Sequence, residues 1–118
     1  MLLRVDPQSA VPVFVQIAAS IRVDAAMGRL VPGDRLSSAR EVAASLGVNV
    51  HTVLHAYNTL RDEGLIDLRR GRGAVVTDAA VALAALHTEI LLLARRARDL
   101  GLPADTLAAL VKEAANAR

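Results

Sequence analysis

The sequence predicts a mostly α-helical chain with one small β-hairpin. Three observations lead to this fold class. The composition is aliphatic, with 53% hydrophobic but only 2% aromatic residues, and its many alanines and leucines favour helices. Helical spacing of apolar residues recurs along the chain. The spacing is interrupted once, by two strand-like runs around a loop rich in glycine and arginine.

Composition sets the first limits on size and location. A chain of 118 residues has the size of one domain, and its hydrophobic content argues against disorder. It has no cysteine, which excludes disulfides and thiolate chemistry and is compatible with the cytoplasm. The N-terminus has no signal-peptide pattern. The longest hydrophobic stretch, from Ala79 to Ala94, contains too many polar residues to form a transmembrane helix. We therefore expect a cytoplasmic protein without membrane contact.

The titratable residues indicate neither an enzyme nor a cofactor site. No nucleophile has a convincing base partner, and no glycine-rich phosphate loop follows a strand. His51 and His55 share the i, i+4 spacing of helical metal ligands, but no nearby carboxylate completes a zinc pattern. We therefore expect no catalysis, no metal and no cofactor. A net charge of +2 is only a weak nucleic-acid signal.

The first helix is expected from about Pro12 to Met27. Proline suits a first helical turn, where its missing N–H costs nothing, and Gly28 can close the helix in a left-handed conformation. The spacing predicts one buried stripe, formed by Phe14, Ile17, Ile21 and Ala25.

Two further helices are expected around a tight turn. Ser38 and Glu41 fit a capping box, and Gly47 ends this short second helix, whose inner face is Val42 and Leu46. Asn49 is the expected N-cap of a third helix from about Val50 to Glu63, with Gly64 just after its end and an inner face of Val53, Tyr57 and Leu60. Two helices around a short glycine-containing turn are typical of a helix-turn-helix.

The period of the sequence changes after Gly64. Residues 65–68 and 74–77 are expected to be strands, and the loop between them is Arg69-Arg70-Gly71-Arg72-Gly73. A hairpin directly after a helix-turn-helix is a wing. Residues 1–78 are therefore predicted to form a winged helix-turn-helix domain.

Residues 79–118 are predicted to form a two-helix tail. One helix should run from about 79 to 100, Gly101-Leu102-Pro103 should break it, and a last helix should follow from about Ala104 to Ala117, with Leu107, Leu110, Val111 and Ala114 turned inward. The first tail helix is apolar on too many sides for one partner, so we expect a second copy of the chain to cover it. The predicted dimerisation residues are Leu83, Leu86, Ile90, Leu93, Ala97, Leu107, Leu110 and Val111.

Several motifs, in their order and spacing over residues 7–77, resemble the GntR family. They are Gly28-Arg29-Leu30, Pro32-Gly33-Asp34-Arg35-Leu36, Ser38, Arg40-Glu41, Leu46-Gly47-Val48, Thr52-Val53, Tyr57, Leu60, Glu63-Gly64-Leu65-Ile66 and Arg70-Gly71-Arg72-Gly73. Two positions depart from the family pattern: Leu36-Ser37-Ser38 lacks the usual proline, and Val50-His51 stands where arginine or asparagine is common.

The resemblance implies a transcription regulator. The short tail is similar to that of the YtrA subfamily, which implies dimerisation, and the family implies a repressor that binds double-stranded DNA. Two-fold symmetry would place the two recognition helices roughly 34 Å apart on an inverted-repeat operator. If the chain has a small-molecule effector, the apolar cleft between the tail helices and the wing domain is the expected place.

On DNA, the third helix is expected to lie in the major groove. His51 would then contact a base or phosphate, Val50 a thymine methyl group, and Thr52 and Tyr57 phosphates, while the helix starts capped by Ser38 and Asn49 would present backbone amides to phosphate. Arg40 resembles the family's guanine- or phosphate-binding arginine. The wing residues expected at the minor groove are Arg70, Gly71 and Arg72.

One alternative stays open at this point. Val50 and Leu54 are apolar residues on the outer side of the recognition helix, and apolar groups suit a protein partner. The chain would then be a winged-helix interaction module without DNA binding. The arginine-rich wing favours DNA.

Overall fold

The computed structural model describes residues 3–117. In that part of the chain there are five helices and one antiparallel hairpin, in the order α1 (Val13–Ala26), α2 (Ala39–Leu46), α3 (Val50–Asp62), β1 (Ile66–Arg69), β2 (Gly73–Val76), α4 (Ala79–Asp99) and α5 (Ala104–Asn116). The mostly α-helical fold with a small hairpin is thus confirmed. The chain divides into two compact units, and the division falls inside α4, between Ala85 and Leu86.

Helix α1 begins one residue later than the first-turn position expected for Pro12. Pro12 is the N-cap, and its carbonyl accepts from the amides of Val15 and Gln16. A cap position suits proline as well, because the residue needs no amide proton there. The predicted inner face is confirmed for Ile17 and Ile21, both fully buried.

The helix-turn-helix has the predicted local chemistry. Ser38 Oγ accepts from the Glu41 amide at 3.1 Å, and the Glu41 carboxylate accepts from the Ser38 amide at 3.3 Å, which completes the capping box. Gly47 closes α2 with a φ of 68°, a left-handed conformation that glycine adopts without steric cost. Asn49 caps α3 by accepting from the His51 amide at 2.8 Å.

The wing is a two-stranded hairpin whose strands are each displaced by one residue from the predicted runs. Ile66 pairs with Val76 and Arg69 with Gly73. Just before β1, the carbonyls of Gly64 and Leu65 both accept from the Thr77 hydroxyl. An isolated bridge between Arg35 and Val75 ties the hairpin to the segment before α2.

The first unit has a continuous apolar core that draws on α1, α2, α3 and the wing. The start of α4 belongs to it as well, because Ala80 is buried in this core and Leu83 packs against it. The buried members are Ile17, Ala18, Ile21, Ala25, Leu30, Leu36, Val42, Ala43, Val53, Ala56, Tyr57, Leu60, Leu65, Ile66, Ala74, Val76 and Ala80.

The second unit differs from its prediction. The expectation that Leu110, Val111 and Ala114 turn inward is wrong for the single chain, where all three are exposed. Ala97 is the opposite case, since it is already buried within the single chain. Two helices alone supply too little surface to cover a broad apolar face. In the described part of the chain, every helix is too short or too polar to cross a membrane.

Candidate nucleic-acid interface

The N-terminus of α2 is held in place by Tyr57 of α3. Its phenol donates to the carbonyl of Ser37 at 2.5 Å, one residue before the N-cap. Burial raises the pKa of Tyr57 to about 12, and the nearby Glu41 carboxylate adds to the shift. The side chain is only 3% exposed. The direct phosphate contact expected of Tyr57 is therefore not what the geometry favours, because the hydroxyl proton is already used to position α2.

Arg40 lies in the first turn of α2 with its side chain exposed. Among the described carboxylates, none lies within salt-bridge distance of its guanidinium. Its five N–H donors are thus not committed to an ion pair. An arginine that binds phosphate or guanine needs its donors uncommitted in this way.

The predicted base-facing residues on the outer side of α3 differ in their exposure to solvent. His51 is exposed and Thr52 half-buried, whereas Val50 packs partly against the core. The amides of His51 and Glu41 donate to the caps Asn49 and Ser38. These two amides are already satisfied, so the two cap side chains support the helix starts and do not leave these particular donors to a phosphate.

An aromatic stack between α1 and α3 was not expected from the sequence. The rings of Phe14 and His55 lie nearly parallel, with centroids 3.7 Å apart and 13° between their planes. His55 remains an exposed residue in this stack. The spacing of Phe14 predicts the buried side of α1, but which side chain of α3 meets it depends on how the two helices cross.

A second contact holds the far end of α3 against α1. Arg22 donates through Nε and a terminal nitrogen to the two oxygens of Glu63, at 2.6 and 2.8 Å. This hydrogen bonding to Glu63 raises the pKa of Arg22, an effect that partial burial opposes. The bidentate pair fixes the direction of α3 relative to α1.

The wing presents its arginines to solvent. Arg70, Gly71 and Arg72 form the exposed tip, and Gly71 has a φ of 79°, a value at which a side chain is strained. Arg69 pairs with Asp67 at 3.3 Å. Arg70 and Arg72 form no salt bridge with any carboxylate that the structure describes.

These elements meet around one cleft of about 340 Å³. Its walls come from the start of α2, the outer side of α3 and the wing. The lining residues are Ser38, Ala39, Leu54, Tyr57, Leu68, Arg69, Arg70, Gly73 and Ala74. A helix-turn-helix with a basic wing around a shared cleft defines the class of winged-helix nucleic-acid-binding modules.

Residues 14–76 match the gntR family of bacterial regulatory proteins, and the chain belongs to this family. It is 37% identical over 79 residues to the HTH-type transcriptional repressor YtrA of Bacillus subtilis, a match that covers 67% of this chain and 61% of the relative. The chain thus spans about 60% of the length of the first curated relatives it matches. The family and these relatives are transcription regulators, not enzymes.

Solved structures agree in fold. YtrA from Sulfolobus acidocaldarius, a GntR-family transcription factor, is 37% identical, with a TM-score of 0.61 over 84% of this chain and 99% of that one. The DNA-binding domain of AraR, solved in complex with the operator ORX1, is 24% identical, with a TM-score of 0.59 over 65% of this chain and 99% of that domain. At that identity the second likeness concerns the fold alone. The predicted resemblance to YtrA-like GntR regulators is confirmed.

Proposed function

We propose that this protein is a transcription repressor that binds an inverted-repeat operator as a homodimer. One observation carries the proposal. The start of α2, the outer side of α3 and the wing border one cleft, which Arg70 lines. Arg70 and Arg40, which follows the cleft residue Ala39 in the chain, are exposed and not engaged by any described carboxylate. Action on chromosomal DNA would take place in the cytoplasm.

The dimer is supported by the second unit. Leu86, Ile90 and Leu93 repeat at helical spacing on α4 and are each about half exposed in the single chain, although a monomer rarely exposes so much contiguous apolar surface. Leu91, Leu92, Leu110 and Val111 are exposed as well. A second copy of the chain with the same face would cover these side chains, and its two-fold symmetry would require an inverted-repeat operator.

The assignment as a repressor has a separate basis. It comes from the Bacillus subtilis relative, which is named a transcriptional repressor. Any effector stays a prediction from the sequence, and it would be revealed by a metabolite that shifts the melting temperature.

The alternative, a protein-interaction module, rests on the exposed apolar side chains of Leu54 and Leu68 in the cleft. Salt dependence separates the two functions, because phosphate contacts release counterions whereas apolar contacts do not. Removal of the wing arginines should weaken DNA binding but should have little effect on an apolar protein contact.

The test is fluorescence anisotropy with the duplex upstream of the protein's own gene and a scrambled duplex, at two salt concentrations. The Arg70→Ala/Arg72→Ala variant should bind the native duplex more weakly, and its salt slope should fall by about 0.9 for each phosphate that is no longer neutralised. Arg95→Ala/Arg96→Ala removes the same charge from α4 and is the matched control. Equal binding of both duplexes, or a wing variant that behaves like this control, would contradict the proposal.

A further inference from the structure

Leu54 occupies an unusual place for a large apolar side chain. It lies on the outer side of α3, between His51 and Asn58, and 39% of it is exposed. Val50, one turn earlier, packs partly against the core. Leu54 is therefore the apolar group that the recognition helix offers most freely to a partner.

The cleft beside Leu54 is apolar although it lies among polar residues. Leu68 of β1, 41% exposed, lines the same cleft, together with Ala39 and Ala74. The Tyr57 hydroxyl is engaged with the Ser37 carbonyl, so this residue adds its ring and no free donor. Ser38 and Arg70 also line the cleft and supply its polar groups.

DNA offers one apolar group on the major-groove edges of its bases, the C5-methyl of thymine. Cytosine, adenine and guanine carry no methyl group there and are distinguished by hydrogen-bond donors and acceptors, which Leu54 cannot satisfy. A protein partner fits less well, because a stable protein interface takes about 800 Å² from each side, whereas this cleft is small and has the unpaired Arg70 in its lining.

We propose that Leu54 determines base specificity by packing on the methyl group of one thymine in each operator half-site, with Leu68 lining the same apolar cleft. This inference rests on the proposed function, since it needs a recognition helix in the major groove. It assigns the base preference to an apolar contact at a position that had no predicted role in DNA binding.

The test removes the methyl group and leaves the protein unchanged. In the native duplex, each thymine of one half-site is replaced singly by deoxyuridine, which keeps base pairing but lacks the methyl group, and binding is followed by anisotropy. One replacement should weaken binding about 3- to 10-fold, the effect of burying one methyl group in a well-packed site. The others should change little.

The protein variant completes a double-mutant cycle. Leu54→Ala should bind the thymine duplex as weakly as the wild type binds the sensitive deoxyuridine duplex, and it should lose nothing further on that replacement. Val23→Ala, which shortens a comparably exposed apolar residue of α1, is the control and should retain the full methyl effect. Circular dichroism checks that both variants are folded.

The outcomes separate this inference from the proposed function. If no deoxyuridine replacement matters while native DNA is still preferred over scrambled DNA, the methyl contact is wrong and the regulator function stands. If the replacement costs Leu54→Ala as much as the wild type, another residue reads the methyl group. If Leu54→Ala leaves DNA binding intact, Leu54 does not contribute to base specificity and the inference is wrong. If native and scrambled duplexes bind equally, the proposed function fails, and the inference fails with it.

Discussion

The two compact units of this chain differ in how far their large apolar side chains are buried. The first unit has a continuous core of buried aliphatic side chains, in which Ile17, Ile21 and Leu60 have no exposed surface. In the second unit, Leu92 is 59% exposed within the single chain, and none of the described residues of α5 is buried. The first unit thus has the core of an independent domain, whereas the second carries an apolar face that is exposed in the single chain.

The largest effect should come from the core of the first unit. Leu60→Ala leaves a cavity among fully buried neighbours and should lower the free energy of unfolding by about 2–5 kcal/mol, measured by urea denaturation. Leu92→Ala is the comparison in the second unit. Its effect should depend on protein concentration, because it acts on association, whereas the effect of Leu60→Ala should not. The same concentration dependence for both variants would contradict the distinction between the units.

The next effect tests the apolar face itself. Leu86→Glu/Ile90→Glu places two carboxylates in the proposed interface and should produce a monomer by light scattering. Operator affinity should fall about 100-fold or more, since the second half-site is no longer bound as part of one assembly. Thr88→Glu adds a charge at an exposed polar position of the same helix and is the matched control. A charge variant that keeps the mass and affinity of this control would refute the interface.

Alkaline pH should weaken the first unit through Tyr57. Its folded pKa of about 12 lies above the ordinary 10.0, so the unfolded chain loses the phenol proton first. The free energy of unfolding should therefore fall as pH rises from about 10 to about 12, by about 2–3 kcal/mol in total. Tyr57 is the only tyrosine, so tyrosinate absorbance measures its pKa directly.

The Tyr57→Phe variant is the control for the alkaline effect. It should lose the dependence on pH above 10 that the phenol causes. A wild-type titration at the ordinary value of 10.0 would show that the phenol is not buried as described.

A smaller effect is expected at the turn of the helix-turn-helix. Gly47 has a φ of 68° and open space around it, so alanine would meet backbone strain without a steric clash. Gly47→Ala should lower the free energy of unfolding by about 1–2 kcal/mol, measured by thermal unfolding. Ala44→Gly, at an exposed position within α2, provides a helix-propensity reference of about 1 kcal/mol. No loss at Gly47 would argue against the left-handed C-cap.

Short-range chemistry explains which parts of the fold could be predicted from the sequence. The capping box at Ser38, the left-handed Gly47 and the Asn49 cap each depend on residues within one turn of each other, and all three are confirmed. The limits of the two strands each differ by one residue from the predicted runs, because the ends of a short hairpin depend on the pairing between its strands, which extends from Ile66 with Val76 to Arg69 with Gly73.

Long-range contacts explain what could not be predicted. The Phe14–His55 stack and the Arg22–Glu63 pair depend on the crossing of α1 and α3. Tyr57 was placed correctly on the inner face, but its hydroxyl partner, the Ser37 carbonyl, lies 20 residues away. Ala97 was assigned to a dimer face because periodicity does not show which apolar residues a chain covers by itself.

The stoichiometry of the DNA complex tests the central claim most directly. The native upstream duplex, held well above the dissociation constant, is titrated with the full chain and followed by anisotropy and light scattering. We expect saturation at two chains per duplex, with a clear preference over a scrambled duplex of equal length. Saturation at one chain per duplex, or equal affinity for both duplexes, would contradict a dimeric, sequence-specific regulator.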